Sequence, residues 1–295
     1  MRPIDRIRAL HKLVQATRKT VVVDVGANPF NGTPVYAQLR KSGVAHIIGF
    51  EPQPEALEAL VKAAGPNETY LPYAIGKGAT ETLHVTKNSG LVSILEPDPW
   101  IARYLNPWWR RAIEVHQRVP METHRLDDLD EIEQVDFLKI DIQGGELAVF
   151  QNARSKLATA ALVQTEIPIV RYYKDQPSFG AIQEELEAQG FLAHKIVETS
   201  AHHLGYPTDL AEKLPIKPSQ ATVADIAFLR SPVSMESLSV DTLQHMAILA
   251  DAVLHSYDLV FRCLGELVRR NVVQSGDTAD YVALLRGTVF RKTRE

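Results

Sequence analysis

Between residues 21 and about 230, short runs rich in β-branched residues take turns with stretches of helical periodicity. No other feature constrains the fold as strongly. The β-rich runs are TVVVDV (20–25), AHIIGF (45–50), ETYLPYAI (68–75), VDFLKIDI (135–142), AALVQTEI (160–167), FLAHKIVE (191–198) and ADIAFLR (224–230). Helical patterns fall near 34–42, 54–64, 145–156 and 178–189, the last entered after QPS and stopped at Gly190. Such alternation is the signature of an α/β fold. Several central runs are apolar throughout rather than every second residue, which suits strands covered on both faces.

At 295 residues the chain can bury a sizeable core as one large domain or one domain with an appendage. A net charge of -4 argues against a dedicated nucleic-acid surface, which would carry a basic excess. The single cysteine, Cys263, excludes an internal disulfide framework and a multi-cysteine zinc site. No stretch is apolar for long enough to span a bilayer, and the basic N-terminus lacks the apolar region of a leader. A cytoplasmic protein is expected. Ile4, Ile7, Leu10 and Val14 recur at helical spacing, so residues 1–19 read as a short amphipathic helix packed on the domain.

Two spans are less regular. Residues 84–125 hold all three tryptophans, Trp100, Trp108 and Trp109, and read either as a lid over a substrate site or as an apolar flap without chemistry. Residues 199–222 read as a long loop before the last strand. After RSPVSMES the chain changes character. Leu243, Met246, Ala250, Val253, Tyr257, Val260, Leu264 and Leu267 alternate spacings of three and four, the pattern of a helical seam. A helix over 236–270 would be roughly 50 Å long at about 1.5 Å per residue. The expectation is a helical extension over 233–295 that makes a homo-oligomer through 236–270; the competing reading is a hairpin packed on the main domain.

The chemistry gathers at the carboxyl ends of the strands. The first strand runs through Asp24 into Gly26, Ala27 and Asn28, a glycine-dependent turn that lets backbone approach a ligand. The second ends IIGFEP, placing Glu51 and Pro52 at the same sheet edge, where an acid can accept both hydroxyl hydrogens of a ribose. Neither the dinucleotide fingerprint GxGxxG nor a phosphate-binding GxxxxGK[ST] loop is present. An anion just before the turn would repel a pyrophosphate and suit a cation. S-adenosylmethionine, a nucleoside without phosphate that carries a sulfonium and an amine, fits that description. The fourth strand adds FLKIDIQGGE, in which Lys139, Asp141 and Gln143 share a face and Asp141 and Gln143 emerge beside Asp24 and Glu51.

The pieces VVVDVGAN, IIGFEPQP, YAIG, RLDDL, VDFLKIDIQGGELAVFQNA, ALVQTEI and FGAIQEELEAQGF occur in the order found in FkbM-type methyltransferases, and over about 21–197 the chain resembles that class I family. The resemblance implies a Rossmann-like fold with a seven-stranded, mostly parallel sheet ordered 3-2-1-4-5-7-6, a methyltransferase domain over 20–232. It further implies that Asp24, Gly26, Ala27 and Asn28 hold the methionine end of S-adenosylmethionine, Glu51 and Pro52 its ribose, and Tyr73 and Ala74 its adenine. Asp141 and Gln143 would face the methyl group. Phe30 stands where the family usually has glycine, giving a longer loop, and Tyr73 replaces the usual asparagine.

Methyl transfer to a hydroxyl needs alignment and a proton acceptor. Asp141 is the first candidate base, followed by Glu146, Glu166 and His84; no metal is expected. The reading is O-methylation of a small-molecule or glycan acceptor, a sugar, polyketide or other natural product. The alternatives are a Rossmann-type oxidoreductase, which would need the missing glycine fingerprint, and a non-catalytic binding protein working through its tail.

Overall fold

The computed structural model describes residues 1–29, 32–205 and 217–289. Its strands are β1 (Thr20–Val25), β2 (Ala45–Phe50), β3 (Glu68–Leu71), β4 (Ala74–Ile75), β5 (Thr80–Thr86), β6 (Val115–His124), β7 (Phe137–Ile140), β8 (Leu162–Pro168), β9 (Phe191–His202) and β10 (Gln220–Arg230). The α-helices are α1 (Pro3–Leu13), α2 (Ala37–Ser42), α3 (Pro54–Ala63), α4 (Ile101–Tyr104), α5 (Trp108–Ala112), α6 (Glu146–Gln151), α7 (Arg154–Leu157), α8 (Phe179–Ala188), α9 (Val240–Leu249), α10 (Tyr257–Arg269) and α11 (Ser275–Thr288).

A strand buried on both faces must feed two cores with alternate side chains, and the central strands do so. Val22, Ile47, Phe137, Leu162 and Ala227 belong to one apolar cluster, while Val23, Ile48, Leu138, Val163 and Phe228 belong to the other. The seven-stranded sheet has the order β3-β2-β1-β7-β8-β10-β9. Numbered among themselves, these strands run 3-2-1-4-5-7-6. β10 is antiparallel to both neighbours, β8 and β9, and the other pairings are parallel. The fold is therefore the α/β arrangement implied by the resemblance.

β1 and β2 coincide with the runs that predict them. The run 68–75 splits at Pro72 and Tyr73 into β3 and β4, and the helix expected over 145–156 is broken into α6 and α7. α8 starts where the cap predicts, with Ser178 Oγ accepting from Ala181 N at 3.2 Å. The span 84–125 departs from its irregular reading. β6 pairs with β4 and β5 in a three-stranded sheet, and α4 and α5 carry Ile101, Leu105 and Trp109 into a third apolar cluster with Tyr172 and Tyr173. The span 199–222 begins and ends as strand rather than loop; its residues 206–216 lie outside the described residues. The longer loop expected around Phe30 likewise falls on residues 30 and 31, outside them.

The tail corrects the expected long unbroken helix. Its periodicity is real, but Leu243, Met246, Ala250, Val253, Val260, Leu264 and Leu267 are all buried in the same cluster as Val22 and Phe137 of the sheet. The seam faces this chain's own sheet, so it is not left open for a second copy. The helix also breaks: a π-helical turn, Ala250–Leu254, ends at His255 with φ 52° before α10 begins. That turn holds Asp251 against Arg6 of α1, with Arg6 Nε 3.0 Å from Asp251 Oδ2 and Tyr281 OH donating to the same oxygen at 2.6 Å. Among the described residues no helix is long and apolar enough to cross a membrane. Asp136, Asp241 and His245 cluster with metal-like spacing, but Arg18 bonds both carboxylates, at 2.6 Å to Asp136 and 2.5 Å to Asp241, which makes the group an ion-pair node.

A buried carboxylate stripped of its cation is costly. Asp251→Ala and Arg6→Ala are each expected to lose about 3–5 kcal/mol in chemical denaturation. The double change Arg6→Met, Asp251→Leu should lose clearly less than the sum of the two.

Candidate active site

The site is built where β1, β2 and β7 end together. After β1 the backbone turns at Gly26, φ 83°, and a Cβ placed there would drive into the backbone carbonyl oxygen of Asp141. Only glycine permits that turn and that approach at once. Gly26 N and Ala27 N both donate to Phe50 O, at 3.1 and 3.0 Å, and Asp141 N donates to Val25 O at 3.1 Å. Glu51 N donates to Leu71 O at 3.1 Å, which anchors the end of β2 to β3.

A cavity opens over these turns. Gly26, Asn28, Glu51, Pro52, Tyr73 and Ala74 line one side, and Asp141 and Gln143 line the other. Glu51 Oε1 accepts from Gln53 N at 2.8 Å, and its second oxygen has no partner among the described residues. Burial, reinforced by the negative charge of Asp24, raises the Glu51 pKa against the pull of the Gln53 N–H. The Tyr73 ring lies 6.3 Å from Phe50 and 4.8 Å from His124, and its hydroxyl donates to Glu131 at 3.1 Å. An aromatic wall thus stands where an asparagine was expected.

Asp24 and Ala27 sit behind this wall rather than in it. Asp24 is buried, accepts from Tyr36 OH at 2.6 Å and lies 3.3 Å from Lys139 Nζ, so it supports the turn from below. Burial works against the Lys139 charge, but Asp24 and Asp141 outweigh it and the Lys139 pKa is raised.

Gln143 is the hinge of the polar end. It adopts φ 59°, uncommon for a residue with a side chain and a form of strain concentrated at functional sites. Its amide donates to Asp141 Oδ1 at 2.9 Å and to Glu166 Oε1 at 3.2 Å, while Tyr173 OH donates to its Oε1 at 3.1 Å. Ser93 Oγ donates to its carbonyl at 2.6 Å, pinning the 89–94 segment over the cavity. Asp225 of β10 is in register with Glu166 of β8. Burial and the charge of Asp141 push Asp225 up to about 6. Glu166 is raised well above the usual range by burial first and then by Asp141, Glu146 and Asp225.

Two of the expected bases are placed elsewhere. Glu146 is buried outside the cavity wall, with Oε1 accepting from Ile142 N at 3.0 Å and Oε2 from Gly144 N at 2.9 Å. It braces the turn, and burial pushes it up to about 7 although those N–H groups favour its charged form. On β5 it is Leu83 that lines the cavity; His84, one residue on, points to the other face, and its Nδ1 is buried without a partner. Asp141 and Glu166 remain, joined through Gln143.

Sequence reasoning missed the walls given by Leu83, Met121 and Thr123, and missed Tyr173 and Asp225. A signal existed for two of them: Val115, Gln117, Val119, Met121 and Thr123 take every second place in β6, the period of a strand.

The sequence profile of the "Methyltransferase FkbM domain" matches residues 24–193, more than half of the chain and all of the site except Asp225. The chain belongs to the FkbM methyltransferase family. The family uses S-adenosylmethionine, and the cavity meets its needs: a carboxylate with a spare oxygen for a ribose, an aromatic wall, a turn without side chain and no phosphate-binding loop. Comparison with curated proteins finds no match. Among solved structures, magnesium protoporphyrin IX methyltransferase from Synechocystis PCC 6803 with bound S-adenosylmethionine is similar at 12% identity, TM-score 0.36, over 77% of this chain and 79% of that one. Precorrin-6y C5,15-methyltransferase from Geobacter metallireducens GS-15 is similar at 14% identity, TM-score 0.33, over 76% and 87%. These are distant likenesses, and the family assignment rests on the sequence match.

Removing the spare Glu51 oxygen that faces the cavity should cost a bound cofactor about 1.5–3 kcal/mol, the worth of a charge-assisted hydrogen bond. Glu51→Ala is therefore expected to weaken S-adenosylhomocysteine binding roughly tenfold to hundredfold in calorimetry. Gly26→Ala should abolish it.

Proposed function

We propose that this methyltransferase transfers the methyl group to oxygen, on a hydroxyl of a sugar, polyketide or other natural product. One observation carries the reading: the Asp141–Gln143–Glu166 bridge, two carboxylates joined by one amide, whose Asp141 and Gln143 line the cavity wall. A hydroxyl must shed a proton as it becomes a nucleophile, and a carboxylate within hydrogen-bond reach can take it.

Bound S-adenosylmethionine would bring an electrophilic methyl on a sulfonium. Gly26, Ala27 and Asn28 would hold its methionine end with Asp24 beneath them; Glu51 and Pro52 would take the ribose, and Tyr73 and Ala74 the adenine. Asp141 would then accept the acceptor's proton. Gln143 holds Asp141 in place and gives Glu166 a neutral donor in common with it. Ionised Glu166 holds the shared amide more strongly than protonated Glu166 does, because its hydrogen bond is then charge-assisted. Lys139 beside Asp24 keeps this acidic end from excess negative charge. The 89–94 segment, pinned through Ser93, excludes water from the reacting atoms.

In this reading residues 20–232 are the catalytic unit, while 1–19 and 233–295 complete its second apolar layer instead of forming an oligomerisation element. Both alternatives lose ground: the oxidoreductase to the absent glycine fingerprint, the tail-driven binding protein to the burial of the tail's apolar face.

A base must be unprotonated, so activity is present above its pKa and lost as pH falls through it. Because the Glu166 pKa is raised and Glu166 shares the Gln143 amide with Asp141, kcat is expected to respond to protonation of Glu166, falling on the acid side with an apparent pKa above the ordinary carboxylate range. Glu166→Gln should move that limb, and Asp141→Asn should lower kcat by roughly 10²–10⁴ while S-adenosylhomocysteine still binds. A flat pH–rate profile in both variants and wild type would refute the assignment.

A further inference from the structure

The insertion carries a second, wider hollow of about 770 Å³, lined by Lys87, Asn88, Ser89, Pro107, Trp108 and Arg111. Trp108 is 51% exposed, beside Trp109 at 1%. The two indoles meet edge to face, 5.3 Å between centroids and 87° between planes. The buried ring packs 4.6 Å from Tyr172 in the apolar cluster under the insertion, so it holds the outer ring in place with much of its surface open. A tryptophan left open in this way keeps a large apolar face for something other than the core.

The charge of the hollow runs against that of the chain. Lys87 and Arg111 line it and no carboxylate does, although the protein as a whole carries -4. Lys87 is paired with the exposed Glu114 at 2.7 Å, and the Arg111 charge also stabilises Glu114, but the Arg111 guanidinium makes no direct ion pair among the described residues and is left to face the hollow. Arginine's planar fork matches a carboxylate or a phosphate with two parallel hydrogen bonds. The hollow also adjoins the active site. Ser89 lines both, and the residues that follow it, Gly90, Val92, Ser93 and Ile94, wall the cavity.

We infer that this hollow is the acceptor subsite and takes a ring bearing a carboxylate or a phosphate, such as an acidic sugar unit. The inference rests on the methyl-transfer reading of the neighbouring cavity. The ring lies on Trp108, its anion is held by Arg111, and the hydroxyl to be methylated reaches past Ser89 toward Asp141. Discrimination between acceptors then lies in the insertion rather than in the strand ends that hold the cofactor.

The test is saturation-transfer NMR on full-length protein with excess S-adenosylhomocysteine, using methyl glucuronide, glucose 1-phosphate and neutral methyl glucoside as probes. Both anionic probes should bind at least roughly fivefold better than the neutral one, the scale of a single exposed ion pair. The preference should fade at about 0.5 M salt, and the stronger of the two probes identifies carboxylate or phosphate as the natural anion. Arg111→Gln should erase the preference, and Trp108→Ala should erase transfer to the ring protons. Both should leave S-adenosylhomocysteine affinity unchanged within about twofold, since neither residue lines the cofactor cavity. Equal binding of the charged and neutral probes, no binding of any probe, or an intact preference in Arg111→Gln would overturn the subsite alone. Failure of the wild type to bind S-adenosylhomocysteine would instead overturn the methyl-transfer reading, and the subsite with it.

Discussion

The approach of Gly26 to the backbone of Asp141 is the contact on which the rest of the site depends. Two neighbouring parallel strands, β1 and β7, must end at the same height and turn away without a side chain between them. Because Gly26 N and Ala27 N share the carbonyl of Phe50, the same turn fixes the end of β2 and with it Glu51. Glu51 and Asp141 are thus set at a fixed separation by backbone geometry, with no side-chain hydrogen bond joining them among the described residues. A loop-built site would not hold that separation as closely.

Backbone order at this edge permits an unusual concentration of charge. Asp24, Asp141, Glu146, Glu166 and Asp225 gather near one lysine, Lys139, and burial disfavours the charges of Lys139, Glu146, Glu166 and Asp225. Three devices restrain four of these acids: a tyrosine hydroxyl for Asp24, two backbone N–H groups for Glu146, and one shared amide for Asp141 and Glu166. The positive φ of Gln143 is strain retained where it orients that amide.

The strand ends could be read from the sequence because they depend on local pattern. VVVDVGAN and IIGFEP announce β1, β2, the glycine turn and Glu51 through composition alone, and all fall where expected. The failures share a physical cause: each depended on what lies across a contact. Asp141 and Glu146 are both acids at the end of β7, but only the fold shows that the second spends its oxygens on backbone N–H groups. His84 and Leu83 differ by one place in β5, and one place exchanges the faces of a strand. The tail's three-and-four spacing describes an apolar stripe and says nothing of its partner, which is the chain's own sheet. Its break has no glycine or proline to announce it; the turn at His255 follows from the burial of Asp251 against Arg6 and Tyr281.

That last pair joins residues 245 apart in sequence. All seven strands of the large sheet lie between Arg6 and Asp251 in sequence, so this ion pair forms only after they have been synthesised. One apolar face of the central strands is completed by helices from both sides of the sheet's sequence. Closing so long a loop is entropically slow, which places the completion of that face late in folding.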